Sequence, residues 1–297
     1  MTNTAADRPL EGGLLTLAGV RYQYAGASDW ALDGVDLSVE AGRVLAVVGP
    51  NDAGKSTLAL VASGLAPLAV GGRLEGSVLL GGHETRGLAA HEAAQRCGIL
   101  FQNPSTQLSG TAHTVWEEVA FGPRNVGLGL AEIVERVEGS LAALRIEHLA
   151  PRDPARLSGG QAQLVALASV LALRPRCLAL DEPTSQLDPE GTRLVGEAIR
   201  RLAGDLGSAI LVTEHKTALL ERVADTAIAL RDGTVVARGT VREVLDDPEL
   251  VGLGVDPPPA VRLRRALAAA GVPADVRGRA LAALTTLDAP GGAEARG

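Results

Sequence analysis

Cysteine is nearly missing from this 297-residue chain: Cys97 and Cys177 are its only two, far apart and in no ligand spacing. A disulfide framework and a cysteine metal knuckle are excluded, which suits a reducing cytoplasm. Aromatic residues make up 2% of the chain, so Leu, Val and Ala must fill the core that its length and 46% apolar content call for. No run of 18 apolar residues occurs, which excludes a membrane-spanning helix. The first dozen residues carry one arginine and no apolar segment, so no secretory signal is expected there. Positive charge is in deficit: a net charge of −7 offers nucleic acid no general attraction, and no nucleic-acid partner is expected. Lysine is scarcer still, with Lys55 and Lys216 against 26 arginines. Lys55 therefore marks a place where a compact ammonium works and a forked guanidinium does not. Lys216 lies in a stretch that reads as exposed, and its lysine as accidental.

What is present is strand–helix alternation. Residues 14–39 alternate strand-like runs with turns and predict antiparallel β structure. Val44–Val48 is a continuous apolar run, the mark of a strand buried on both faces, and a helix is expected from Ser56 to Gly64. Val78–Leu80 and Gly98–Phe101 read as strands. From about Asn103 to Leu173 the period becomes helical, with Ile133, Val134, Val137, Leu141 and Leu144 at three- and four-residue steps, which predicts an inserted helical subdomain. Strand runs return at Cys177–Leu180, Ala209–Val212, Ala227–Leu230 and Val235–Ala237, with helices between, as in a largely parallel sheet. Val255–Pro259 reads as a linker to two short Ala/Leu-rich helices ending near Leu287. A flexible N-terminus (1–12) and a disordered Gly/Ala/Pro-rich tail (288–297) complete the expected organisation.

Three motifs carry chemistry. Gly49-Pro50-Asn51-Asp52-Ala53-Gly54-Lys55-Ser56-Thr57 follows a buried strand and opens a helix, so its backbone N–H groups converge on phosphate oxygens. Lys55 would reach the β- and γ-phosphates and the Ser56 hydroxyl would bind Mg2+. Asp181 and Glu182 end an apolar strand, where two carboxylates are costly without a cation. Mg2+ answers for Asp181, and Glu182, on the other side of the strand, is placed to orient or deprotonate a water. Leu157-Ser158-Gly159-Gly160-Gln161 precedes an apolar helical stretch and reads either as a second anion site without a lysine or as an ordinary serine N-cap. Gln102, just past a strand, is a candidate metal or water ligand. His215, after the run 209–213, is a candidate partner of the γ-phosphate. His83, His91, His113 and His148 have no metal spacing.

These motifs, in this order, resemble the nucleotide-binding subunits of ATP-binding cassette (ABC) transporters over about residues 14–245. The resemblance implies an α/β fold: a P-loop NTPase core with an antiparallel β subdomain and an inserted helical subdomain, the ATPase domain spanning 13–245 and a helical extension 246–287. It implies that Gly49–Thr57 is Walker A, Leu157–Gln161 the signature, Leu178–Glu182 Walker B, Ser185–Asp188 the D-loop, Gln102 the Q-loop glutamine and His215 the switch histidine. Tyr24 matches the aromatic that stacks on adenine. ATP and Mg2+ would be bound in a head-to-tail pair with a second, identical or related ATPase chain, Ser158 facing the neighbour's nucleotide. Gln102-Asn103-Pro104-Ser105-Thr106-Gln107 and Val115–Pro123 are similar to the ATPases of energy-coupling factor importers. That implies a transmembrane coupling protein and a substrate-binding membrane protein as partners, uptake of a vitamin or transition-metal ion, and a place on the cytoplasmic face of the membrane. The ATPase of a conventional ABC importer or exporter shares the same motifs, and a soluble cassette ATPase acting on nucleic acid or ribosomes is the alternative of another class.

The chain departs from the family at three positions. Asp52 stands where glycine is usual; it tolerates left-handed backbone, but about 6 Å from a phosphate oxygen, at an effective dielectric of roughly 20, its repulsion is on the order of 3 kcal/mol. Asp52 is therefore expected to point outward or to pair with a cation. Leu164 replaces a common arginine after the signature, and Gln186 a small residue of the D-loop.

Overall fold

Alternation within single strands decides the architecture. In Val44–Val48 every residue is buried, yet Val44, Ala46 and Val48 belong to one apolar core and Leu45 and Val47 to another. Such a strand must lie in a sheet covered on both faces. The computed structural model describes residues 13–252 and 254–287, with side-chain surroundings to residue 283. The expectations for residues 1–12 and 288–297 lie outside the described residues.

Among the described residues there are two sheets. The antiparallel one is ordered β2-β1-β4-β5, from β1 (Leu15–Gln23), β2 (Leu32–Val39), β4 (Arg73–Leu80) and β5 (His83–Glu84). The larger sheet is ordered β10-β9-β3-β8-β7-β6, from β3 (Val44–Val48), β6 (Cys97–Leu100), β7 (Cys177–Asp181), β8 (Ala209–Thr213), β9 (Thr226–Arg231) and β10 (Thr234–Thr240). Its pairings are parallel except β9–β10. That hairpin turns through Asp232 and Gly233, both at positive φ, as a tight two-residue turn requires. Cys97 and Cys177 are register partners on β6 and β7. Both are buried free thiols, and burial pushes the Cys177 thiol up to about 11, so neither is reactive.

One face of the large sheet packs with β1, β2, β4 and the helix Lys55–Ala62 into a core that includes Leu15, Tyr22, Leu58 and Leu211. The other face packs against the helices Val115–Asn125, Leu130–Ala143, Gly159–Leu171 and Pro189–Leu206. In Leu130–Ala143 the expected stripe is buried at Ile133, Val137 and Leu141, while Val134 is only half-buried. Leu164 packs against this second core.

The expected linker is not free. Val255 and Pro258 are buried, the Thr217 hydroxyl donates to the Asp256 carbonyl at 2.8 Å, and Arg264 pairs with Asp246 at 2.6 Å. The helices Pro259–Ala269 and Ala274–Leu287 thus follow a segment that two side chains and a hydrogen bond fasten to the sheet's helical layer.

Candidate functional site

Parallel strands deliver their loops to one edge, and here four adjacent strands do so. The C-terminal ends of β3, β8, β7 and β6 lead into the glycine loop, His215, Asp181–Glu182 and Gln102, respectively.

The glycine loop is held from behind. A Cβ at Gly49 would overlap the Leu230 carbonyl oxygen, and one at Gly54, where φ is +97°, would meet the Ala31 carbonyl at 2.8 Å. Only glycine fits these approaches. The hairpin turn supports the loop as well, with the Gly233 N–H donating to the Ala53 carbonyl at 3.1 Å. Lys55 is 6% exposed, and its ammonium donates to the carbonyls of Gly49 at 2.9 Å and Pro50 at 2.7 Å. Burial holds its pKa below the ordinary lysine value, against the carboxylates of Glu182, Asp181 and Asp52, which push it back up. A charge so desolvated is poised for an anion. Ser56 is exposed, and among the described residues no protein group bonds its hydroxyl.

Asp181 is 7% exposed and is the last residue of β7. Its Oδ1 accepts the Thr213 hydroxyl at 2.6 Å, and its other oxygen has no protein donor among the described residues. Glu182 does not take its direction from strand alternation, contrary to the sequence expectation. The strand has ended, and Glu182 turns in left-handed geometry (φ 48°), its N–H donating to the Thr213 carbonyl at 3.1 Å. That turn sends its carboxylate between two side chains: Gln102 Nε2 donates to Oε2 at 2.9 Å, and His215 Nε2 lies 3.0 Å from Oε1. Gln102, Glu182 and His215, which are distant in sequence, thus meet. The amide oxygen of Gln102 remains without a protein donor among the described residues.

Ser158 is the N-cap of the helix Gly159–Leu171: its hydroxyl accepts from the Gln161 N–H at 3.4 Å, and Gln161 Oε1 accepts from the Ser158 N–H at 3.1 Å. This is a reciprocal capping box. It leaves Ser158 and Gly159 exposed, so both readings of the motif survive. A Cβ at Gly159 would overlap the Gln186 amide oxygen, so Gln186 covers the first turn of this helix within the same chain. Tyr24 lies edge-on to Tyr22, ring centroids 5.0 Å apart, and its hydroxyl is 3.0 Å from the Thr57 hydroxyl, which brings its ring beside the glycine loop. Asp52 adopts φ 62° and is exposed; among the described residues it forms no ion pair.

Sequence reasoning missed Thr213, whose register pairing with Asp181 appears only once β7 and β8 are neighbours. It also missed Lys216. Far from being an exposed accident, its ammonium donates to the carbonyls of Thr184 at 2.7 Å and Leu187 at 3.0 Å. The rarity of lysine was the available signal.

The donor set suits ATP with Mg2+. A hydroxyl (Ser56), a buried carboxylate (Asp181) and a nearby amide oxygen (Gln102) are few, hard ligands, as Mg2+ accepts when phosphates and water supply the rest. Among the described residues no group of three His, Cys, Asp or Glu could hold a metal unaided.

The family model of the ABC transporter matches residues 32–185. The chain is 43% identical over 267 residues to the energy-coupling factor transporter ATP-binding protein EcfA1 of Symbiobacterium thermophilum, covering 86% of this chain and 89% of that one. It is 37% identical to a putative ABC transporter ATP-binding protein of Methanosarcina mazei but spans only 44% of that relative's length. Among solved structures, cbiO1 from Clostridium perfringens, part of the ABC transporter complex cbiONQ, is similar with a TM-score of 0.69 at 30% identity, over 82% of this chain and 94% of that one. A dimeric post-hydrolysis state of the ATP-binding cassette MJ0796 bound to ADP and Pi is similar with a TM-score of 0.68 at 26% identity, over 77% and 99% of the two chains.

Proposed function

The chain belongs to the ABC transporter family, and from that premise we propose that it is the ATP-hydrolysing subunit of an energy-coupling factor importer. The single observation that carries the hydrolytic part is the meeting of Gln102, Glu182 and His215 on the sheet edge that also bears the glycine loop.

In this reading Lys55 exchanges its bonds to the Gly49 and Pro50 carbonyls for the β- and γ-phosphates, with the N–H groups of residues 49–57 around them. Mg2+, when bound, supplies charge neutralisation, held by Ser56 and Asp181 with Gln102 at hand. Thr213 fixes the rotamer of Asp181 by occupying Oδ1. Glu182 orients the attacking water in line with the γ-phosphate and takes its proton on a carboxylate oxygen. Each oxygen of Glu182 faces a nitrogen, Gln102 Nε2 on one side and His215 Nε2 on the other. With its proton on Nε2, His215 would donate to a γ-phosphate oxygen from the position it holds beside Glu182. Tyr24 stacks on adenine. Ser158, Gly159, Gly160 and Gln161 complete the nucleotide site of a second cassette, identical or related, as support from a dimeric cassette of similar fold suggests.

The names of the relatives support work with membrane components. Among the described residues no helix is long and apolar enough to cross a membrane. By likeness to the energy-coupling factor ATPases, the reading includes a transmembrane coupling protein, a substrate-binding membrane protein and a place on the cytoplasmic face of the membrane, with a vitamin or transition-metal ion as cargo. The test is steady-state hydrolysis with Glu182→Gln: ATP binding is expected to persist while turnover falls by about 10² to 10⁴. Isolation of the tagged chain from native membranes should bring the coupling protein with it. Unchanged turnover in the variant, or a membrane partner of the conventional two-domain kind, would defeat the corresponding half.

A further inference from the structure

The residues on either side of His215 make more hydrogen bonds than the histidine itself. Glu214 is 3% exposed, and a carboxylate so buried is costly unless both oxygens find donors. Oε2 accepts from the Thr184 N–H at 3.3 Å and the Thr184 hydroxyl at 2.6 Å. Oε1 accepts from the N–H groups of His215 at 3.0 Å and Lys216 at 3.2 Å. Lys216 grips the same segment from its other side: Nζ donates to the carbonyls of Thr184 at 2.7 Å and Leu187 at 3.0 Å and to the Thr192 hydroxyl at 3.3 Å. Thr184 is wholly buried, and its N–H, hydroxyl and carbonyl are all held by the two neighbours of one histidine.

This grip begins where the sheet stops. The β7–β8 ladder ends at Asp181 and Thr213, with one last bond from the Glu182 N–H to the Thr213 carbonyl. Beyond it the two chains would part, one carrying Glu182 and the other His215, were it not for Glu214, Thr184 and Lys216. An ammonium can direct three N–H bonds at three oxygens converging from separate directions, which a planar guanidinium cannot. A chain with 26 arginines keeps lysine at two positions only. One is the glycine loop; the other is here.

The gripped segment is also touched from the far side. Gln163, wholly buried on the helix Gly159–Leu171, donates to the Pro183 carbonyl at 3.2 Å, and Gln186 lies over Gly159. Residues 183–187 are thus a strap stretched between the histidine and the serine–glycine turn.

We propose that Glu214 and Lys216 are positioning residues for ATP hydrolysis: by locking the strap to the backbone of His215, they set the contact between His215 Nε2 and the Glu182 carboxylate. They touch no reacting atom and act through His215. The inference rests on the hydrolytic reading of the site.

A double-variant cycle on the 297-residue chain tests it. Single-turnover hydrolysis of ATP with Mg2+ is measured per mole of bound nucleotide for wild type, Lys216→Met, His215→Ala and the double variant. Lys216→Met is expected to slow hydrolysis about tenfold or more, since small misplacement of a catalytic group has effects of that size. Its affinity for ATP should stay within about threefold, because the glycine loop makes none of these bonds. Lys216→Arg should not restore the rate, and Lys216→Met should slow the His215→Ala chain no further. Glu214→Gln enters the same contact independently and is expected to reproduce the loss; it keeps the question open to measurement should Lys216→Met fail to fold. A Lys216→Met rate within twofold of wild type, full activity in Lys216→Arg, or multiplied losses in the double variant would overturn the proposal. A wild-type chain that binds no ATP would instead remove the hydrolytic reading beneath it.

Discussion

The helix that starts at Lys55 and the helix that starts at Gly159 both leave a glycine turn with unpaired N–H groups at their first turn, yet their surroundings are opposite. The first has no side-chain cap, a buried ammonium bound to its own loop carbonyls and a loop packed against Leu230, Ala31 and Gly233. The second is capped reciprocally by Ser158 and Gln161, stands exposed and has no lysine. One end is built to take a phosphate by itself. The other has one of its first-turn N–H groups already taken by Ser158, and its open face suits a nucleotide already held elsewhere.

The sharpest way to break this contrast is Lys55→Met. It is expected to weaken ATP binding by about a hundredfold or more, the scale of losing a preorganised charge at a phosphoryl group, measured by titration with a fluorescent ATP analogue. Equal loss from Ser158→Ala would show the two ends to be alike. Ser158→Ala should instead leave ATP binding by the separated chain within twofold and lower steady-state turnover about tenfold. Thermal unfolding should fall by the roughly 1 kcal/mol of a lost cap.

Asp52→Gly probes the loop more gently. The exposure of Asp52 moves its interaction toward the dielectric of water, where at about 6 Å the repulsion drops below roughly 1 kcal/mol. ATP is therefore expected to bind no more than about threefold tighter, and a tightening near a hundredfold would mean that the charge is felt undamped.

The smallest effect concerns pH. Because the folded chain holds the Lys55 pKa below its ordinary value through burial, the protonated ammonium opposes folding at neutral pH. As pH rises through the depressed value toward the ordinary one, the unfolded chain binds more protons than the folded chain and the opposition fades. Without nucleotide, Lys55→Met should therefore melt slightly above wild type at pH 7, and the gap should close in alkali. A gap that widens in alkali would contradict this sign.

Much of this was legible in the chain. The apolar run Val44–Val48 announced its strand, and Lys55, Asp181 and Ser158 were marked by residue type and spacing. The backbone geometry of Asp52 followed from what aspartate tolerates. Other features depend on neighbours that spacing does not record. Glu182 acquires its direction from a left-handed turn rather than from the period of a strand. Thr213 matters because β8 lies between β3 and β7, a fact of topology. Lys216 looked exposed because its own segment is polar; the oxygens that occupy it belong to residues 184, 187 and 192. The stretch 255–259 looked like a tether because it ends in three consecutive prolines and follows Gly252 and Gly254, whereas Val255 is buried.

The open serine–glycine turn carries a consequence for how this protein responds to its own abundance. If each catalytic centre is assembled from halves on two molecules, the rate per molecule is not constant: in dilute solution it should rise with concentration and then level off when most molecules are partnered. Scarcity alone would then silence the catalyst, with no inhibitor needed. Membrane partners that hold two cassettes side by side would abolish that dependence by making encounter permanent.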